Sequence, residues 1–116
     1  MKIFIIIGII FLTTSLSLAG KDDILTKNIE TSIISKSGGY TTISIKLEAM
    51  NYGPAAKVFI KVRAVDSNNF ELHTIQFGET FQKYDTKKLT NTAFIKASIA
   101  DKIRQWEICE IKVYEN

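Results

Sequence analysis

Between Thr41 and Asp66 the chain alternates apolar and polar residues with a period of two. Ile43, Ile45, Leu47 and Ala49 fall on one phase, and Thr42, Ser44, Lys46 and Glu48 on the other. Beyond the turn Asn51-Tyr52-Gly53-Pro54, Val58, Ile60, Val62 and Ala64 are interleaved with Phe59, Lys61, Arg63 and Val65. Successive side chains of a strand point to opposite faces, so this period predicts two strands, each with one face on a core and one toward water. The pair is expected at the centre of a small β-domain.

The flanking sequence continues the pattern in shorter pieces. The stretch 20–27 starts polar, with Lys21-Asp22-Asp23, and is expected as a flexible N-terminal tail. Asn28–Ser35 reads as a first strand, although the spacing of Ile24, Ile29 and Ile33 also suits a short helix. Ser37-Gly38-Gly39 is a turn signal that would join it to the next strand as a hairpin. Ser67-Asn68-Asn69 is a turn of residues that tolerate left-handed backbone. In Phe70–Phe81 the apolar phase changes from Phe70 and Leu72 to Ile75, Phe77 and Phe81. A bulge there, or a break into two short strands with a corner at Gly78, would account for it. Gln82–Asn91 is polar and reads as the longest loop. Thr92–Ile99 alternates again, Ala100-Asp101-Lys102 turns, and Ile103–Tyr114 reads as the last strand, with a bulge near Ile108 where the phase switches. About seven short strands with no long helical period predict an all-β, immunoglobulin-like antiparallel β-sandwich over residues 28–116.

The N-terminus changes the expected address. Met1-Lys2 is followed by an apolar run from Ile3 to Leu12, and Ser17 and Ala19 are small residues placed for signal peptidase. Residues 1–19 therefore read as a cleavable signal peptide, cut after Ala19, and the run falls short of the ~20 residues that span a bilayer. A periplasmic or secreted product is expected. With 116 residues in all, the remainder is one domain's worth of chain. The net charge of +3 includes Lys2, so the mature chain would carry +2. That slight, interspersed excess points neither to nucleic acid nor to a lipid surface. One cysteine, Cys109, allows no intrachain disulfide, so stability must come from the apolar core.

The run Asn51-Tyr52-Gly53, Val58-Phe59-Ile60-Lys61-Val62-Arg63-Ala64-Val65-Asp66 and Phe70-Glu71-Leu72 resembles the FxLYD-type domains of exported prokaryotic proteins. Those are immunoglobulin- or fibronectin-III-like sandwiches in which an Asn-containing turn precedes a long strand ending at an Asp-bearing turn. Phe94-Ile95 and Trp106-Glu107-Ile108 fall where the closing strands would lie, so the likeness covers Tyr40–Ile108. The chain departs from the family at its signature, reading Arg63-Ala64-Val65-Asp66 without Leu-Tyr before the Asp. The resemblance implies a sandwich with a binding or architectural role and carries over no catalytic residue.

Candidate chemistry is sparse. His73 is the sole histidine, and on a regular strand Glu71 would share its face. A catalytic zinc generally takes three protein ligands, so a solvated strand histidine is favoured and no metal ligand is assigned. Cys109 lies among Glu107, Ile108, Glu110 and Ile111, where acids would raise the thiol pKa. A buried structural role is favoured for it, with an intermolecular disulfide as the alternative. Trp106 is expected in the core. Tyr40, Tyr52, Tyr84 and Tyr114 sit at strand ends or loops, where contacts with partners concentrate. The stretch Lys83-Tyr84-Asp85-Thr86-Lys87-Lys88 would suit an acidic partner patch or an anionic polymer, or simply be a solvated hairpin loop. No phosphate loop, paired-carboxylate motif or Ser–His–Asp spacing is present, so no cofactor is expected.

These observations point to an exported, non-catalytic binding or accessory module. It would recognise a protein or glycan through sandwich loops or an edge strand, with Tyr52, Asn68, Asn69, Lys83, Tyr84, Lys87 and Lys88 as candidate contacts. An inhibitor inserting a loop into a hydrolase, and a small enzyme centred on His73, are the alternatives.

Overall fold

The computed structural model describes residues 21–115; the expected leader and its cleavage site lie outside the described residues. A short 3-10 turn at Lys21–Asp23 leads into β1 (Ile24–Thr26) and β2 (Glu30–Ser37). Then follow β3 (Tyr40–Asn51), β4 (Ala56–Val65), β5 (Glu71–Phe81), β6 (Thr86–Lys96), a helical turn α1 (Ala97–Ala100) and β7 (Gln105–Glu115). All pairings are antiparallel and divide into two sheets. In the first, β1 and β2 lie end to end along one flank of β3, with β6 on the other; in the second, β4 lies between β5 and β7. The described residues form an all-β sandwich of seven strands.

The two strands with the cleanest alternation occupy the middle of the two sheets. Ile45 and Leu47 of β3 meet Val58, Ile60 and Val62 of β4 across the interior, all at most 2 % exposed. Each such side chain contributes about 1.5–3 kcal/mol by leaving water. Phe77, Phe81, Leu89 and Ile95 extend the core outward, and Ile99, Ile103, Trp106 and Ile108 close it at one end. An Ile60→Ala change, which removes a fully buried side chain from the core, would cost about 2–5 kcal/mol.

Gly38 and Gly39 both take positive φ, 62° and 81°, so the β2–β3 hairpin closes in two residues, as the Ser37-Gly38-Gly39 signal predicts. The expected phase changes are bulges. Leu72 is the extra residue in β5 and Cys109 the extra residue in β7. A further bulge in β2, at Ile34, has no sequence cue.

Four expectations need correction. The stretch 20–27 is not a tail from Lys21 onward, because Ile24 is buried and β1 pairs with the end of β3. β5 does not break at Gly78, because that residue faces Phe59, whose ring lies over it and fills the space of the missing side chain. The polar loop is only Gln82–Asp85, since β6 begins at Thr86. Its inward Lys87 and Asn91 sit at the seam with β5, where Lys87 pairs with Glu79 and Asn91 Nδ2 donates to the Gln76 carbonyl at 2.9 Å. Thr92–Ile99 is not all strand: Ala97–Ala100 coils into the turn that carries the chain across to β7.

Candidate functional site: an aromatic loop cluster

The β3–β4 turn, the β5–β6 turn and the N-terminal 3-10 turn meet at one end of the sandwich, and Asn51 joins them. Its side chain is 1 % exposed. Its Nδ2 donates to the Pro54 carbonyl at 2.9 Å and to the Gln82 carbonyl at 3.4 Å, and its Oδ1 accepts from the Gly53 N–H at 2.9 Å. Its backbone N–H donates to Asp85 O at 3.0 Å, and its carbonyl accepts from Tyr84 N at 2.6 Å. Tyr52 N donates to the Asp23 carbonyl at 2.8 Å, bringing in the N-terminal turn. A Cβ at Gly53 would collide with the Asp23 carboxylate, so only glycine permits this approach. An amide fits the hub because it offers two N–H donors and a carbonyl acceptor at once, whereas an ionised carboxylate only accepts and a hydroxyl has a single donor.

On this buried frame stand two exposed rings. Tyr52 and Tyr84 pack edge to face with centroids 6.4 Å apart, and they keep 49 % and 64 % of their surface open. Lys83 Nζ lies 5.3 Å from the Tyr84 ring centre. Tyr84 holds a left-handed backbone, φ 68°. A bulky aromatic in that region is a genuine outlier, and it persists only where the surroundings over-determine it. Here they do: Gln82 N donates to Asp85 Oδ2 at 2.7 Å, Asp85 N to Gln82 O at 3.1 Å, and Tyr84 N to the Asn51 hub.

The fold sorts the sequence-derived candidates. Tyr52, Lys83 and Tyr84 come together at this end. Lys87, from the next strand, points inward, with Nζ 5.7 Å from the Phe81 ring centre and 3.8 Å from Glu79. Lys88 faces Glu48 on the outer side of the first sheet. Asn68 and Asn69 lie at the opposite end of β4, about 30 Å away at ~3.3 Å per strand residue. They shape a turn there: Asp66 Oδ1 accepts from Asn68 N at 2.8 Å and Phe70 N at 2.9 Å, and Asn69 takes φ 67°. Asn51 and Asp23, to which the sequence assigns no role, prove to be what positions the rings. The available signal is an Asn closing an alternating strand just before Tyr-Gly-Pro, a spacing suited to a side chain that bonds its own turn.

The remaining candidates separate too. The bulge at Leu72 breaks the expected Glu71–His73 pairing: His73 pairs with Ala64, and Glu71 accepts from the Thr74 hydroxyl at 2.8 Å. Among the described residues no three His, Cys, Asp or Glu side chains are grouped as a metal site would need. Cys109 is exposed rather than buried, because as the bulge residue it does not follow the inward phase of Ile108 and Ile111. Its Sγ rests 3.5 Å from the Lys61 carbonyl. Partial desolvation there pushes the thiol pKa up; Glu71 and Glu110 add to this, while Arg63 and Lys61 oppose it. Trp106, expected in the core, packs against it but is only half-buried. No helix among the described residues is long and apolar enough to cross a membrane.

No family model matches the chain, and no curated protein matches it. A solved structure, that of Northeast Structural Genomics Consortium target SoR45, is similar at a TM-score of 0.48 and 13% sequence identity, covering 82% of this chain and 88% of that one.

Proposed function

We propose that the chain is an exported, non-catalytic binding or accessory module that engages a protein or glycan through the Tyr52–Tyr84–Lys83 end of the sandwich. The observation that carries this reading is the left-handed backbone of Tyr84 beneath a ring left open to solvent. A buried hub holds a strained aromatic outward, an arrangement that costs stability and so calls for a use at the surface. Tyrosine suits such a surface, since it offers a large rigid contact with few rotamers to freeze and a polar tip.

An FxLYD-type, immunoglobulin-like relationship belongs to the same proposal. It is supported by the connection order, in which β2, β3 and β6 are neighbours in one sheet while β4 and β7 pair in the other. That order corresponds to strands A, B and E, with C beside F, of the immunoglobulin sandwich. Export is supported by the apolar N-terminal run and the Ser17 and Ala19 spacing.

The test is a crosslinking pull-down from native extract with the wild-type protein as bait, repeated with the double variant Tyr52→Ala, Tyr84→Ala. A single saturable partner, protein or glycan, lost with the variant is the expected result. Capture that persists unchanged in the variant would move the site elsewhere. Turnover of a substrate by the purified protein would replace the reading with an enzymatic one.

A further inference from the structure

A sandwich of open sheets has edges to protect, and this one treats them unequally. β5 and β6 are tied to each other by the Asn91–Gln76 hydrogen bond and the Lys87–Glu79 pair. β2 and β7 are the edges on the other side, each paired on one flank only. β7 carries Glu107, Glu110, Lys112 and Glu115, charges of the kind that discourage another strand from adding. β2 is different. All eight of its residues are exposed, and Thr31-Ser32-Ile33-Ile34-Ser35 contains no charge, Pro or Gly. Ile33 and Ile34 leave 58 % and 60 % of their surface open.

From these features we infer that β2 is a self-association edge, pairing antiparallel with β2 of a second copy about a twofold axis between Ile33 and Ile34. The choice of occupant rests on the register. Residues opposite each other on β3 fix the faces of β2. Thr31, Ile33 and Lys36 lie opposite the buried Ile45, Ile43 and Thr41, on the core-side face; Glu30, Ser32, Ser35 and Ser37 lie opposite Lys46, Ser44, Thr42 and Tyr40, on the outer face. Because of the bulge at Ile34, the two halves of the strand present the same face at positions that a regular strand would set out of phase.

A twofold axis between Ile33 and Ile34 uses this shift. Glu30 of one copy then faces Ser37 of the other, Thr31 faces Lys36, Ser32 faces Ser35 and Ile33 faces Ile34. Glu30 and Ser37, Thr31 and Lys36, and Ser32 and Ser35 each share a face, no like charges oppose, and Ile33 and Ile34 of both copies come together at the axis. With the bulge in place, a twofold axis through Ile33 would instead set Glu30 of the outer face against Lys36 of the core-side face. The bulge that ordinarily turns an edge away from partners thus makes this edge complementary to itself. A twofold contact closes on itself, so the product is a dimer.

The test is sedimentation equilibrium of the protein expressed from its full sequence, over ~10 µM to ~1 mM, since a single-strand contact belongs to the small, weak class of interfaces. A monomer–dimer equilibrium is expected. Ile33→Lys should weaken it at least tenfold while leaving the unfolding midpoint unchanged, because the side chain is exposed. Register is read independently in a Cys109→Ser background. Oxidised Ser32→Cys and Ser35→Cys chains should crosslink when mixed and far less when alone. A monomer throughout, a dimer indifferent to Ile33→Lys, assemblies larger than dimers, or a Ser32→Cys chain that crosslinks better alone than in the mixture would each overturn the assignment.

Discussion

Tyr84 concentrates the functional argument at a single residue. Its φ of 68° places Cβ against the following carbonyl, at a cost of about 1–2 kcal/mol for a residue that is not glycine. Tyr84→Gly should therefore raise stability in urea by up to about 1 kcal/mol, the gain being reduced by the extra freedom glycine has when unfolded. The same change removes the exposed ring and should weaken partner capture at least tenfold. A variant that is both stabilised and fully able to bind would show that the strain serves nothing at this surface.

Cys109 makes a separate chemical prediction. Its thiol pKa is raised in the folded chain by partial desolvation beside the Lys61 carbonyl, so the folded state holds the proton more tightly than the unfolded one. As pH rises through the range where a free thiol ionises, the unfolded chain loses its proton first, and stability falls with pH across that window. Alkylation by iodoacetamide should be slower than for an unstructured cysteine peptide, with its pH–rate profile displaced to the alkaline side. Cys109→Ser should flatten the corresponding part of the stability profile. A profile displaced to the acidic side would mean that Arg63 and Lys61 dominate instead.

At the scale of elements, the sequence is most informative where one face is fully buried. β3 and β4 alternate cleanly because each lies in the middle of its sheet with the other sheet on one side and water on the other. The first half of β6 reads as loop because it borders the seam, where Lys87 and Asn91 point inward to polar partners on β5 and break the apolar phase. β1 escapes a sequence reading because three residues show no period, and its pairing with β3 is decided by tertiary contact. The candidate site is half legible. Tyr52, Lys83 and Tyr84 can be named from their turns, but their meeting depends on Asn51 bonds that reach from residue 51 to residues 82, 84 and 85.

That hub is testable as an element. Asn51→Ala leaves the Gly53 N–H and the Pro54 and Gln82 carbonyls without their side-chain partner and should cost about 2–3 kcal/mol in urea denaturation. It should also release the Tyr52–Tyr84 contact, so partner capture falls at concentrations where the variant is still folded. Deleting Lys83–Lys88, by contrast, would remove the start of β6 and unfold the chain, and it is no test of a loop.

At the scale of the molecule, the proposed binding end and the free edge point in useful directions. Asn51 closes the far end of β3, whereas β2 pairs with the stretch from Tyr40 to Lys46, so the aromatic rings stand clear of the strand that would dimerise. Antiparallel pairing of two β2 strands sets the long axes of the copies in opposite senses. The described residues extend 44 Å along their greatest dimension, and the two Tyr52–Tyr84 ends would face outward at opposite tips of the dimer. On the proposed reading each copy would then bind its partner without hindering the other, and a partner displayed densely on a surface or polymer could be held at two points. The second contact forms at an effective concentration in the millimolar range when the geometry allows it, which raises avidity without any new contact. Ile33→Lys should therefore leave the affinity for a soluble, monovalent partner unchanged. On an array of the same partner it should weaken retention by about 10²-fold, the lower bound expected from losing bivalence. Equal weakening in both formats would place Ile33 in the partner site itself, and equal retention would mean that the two ends never engage one array together.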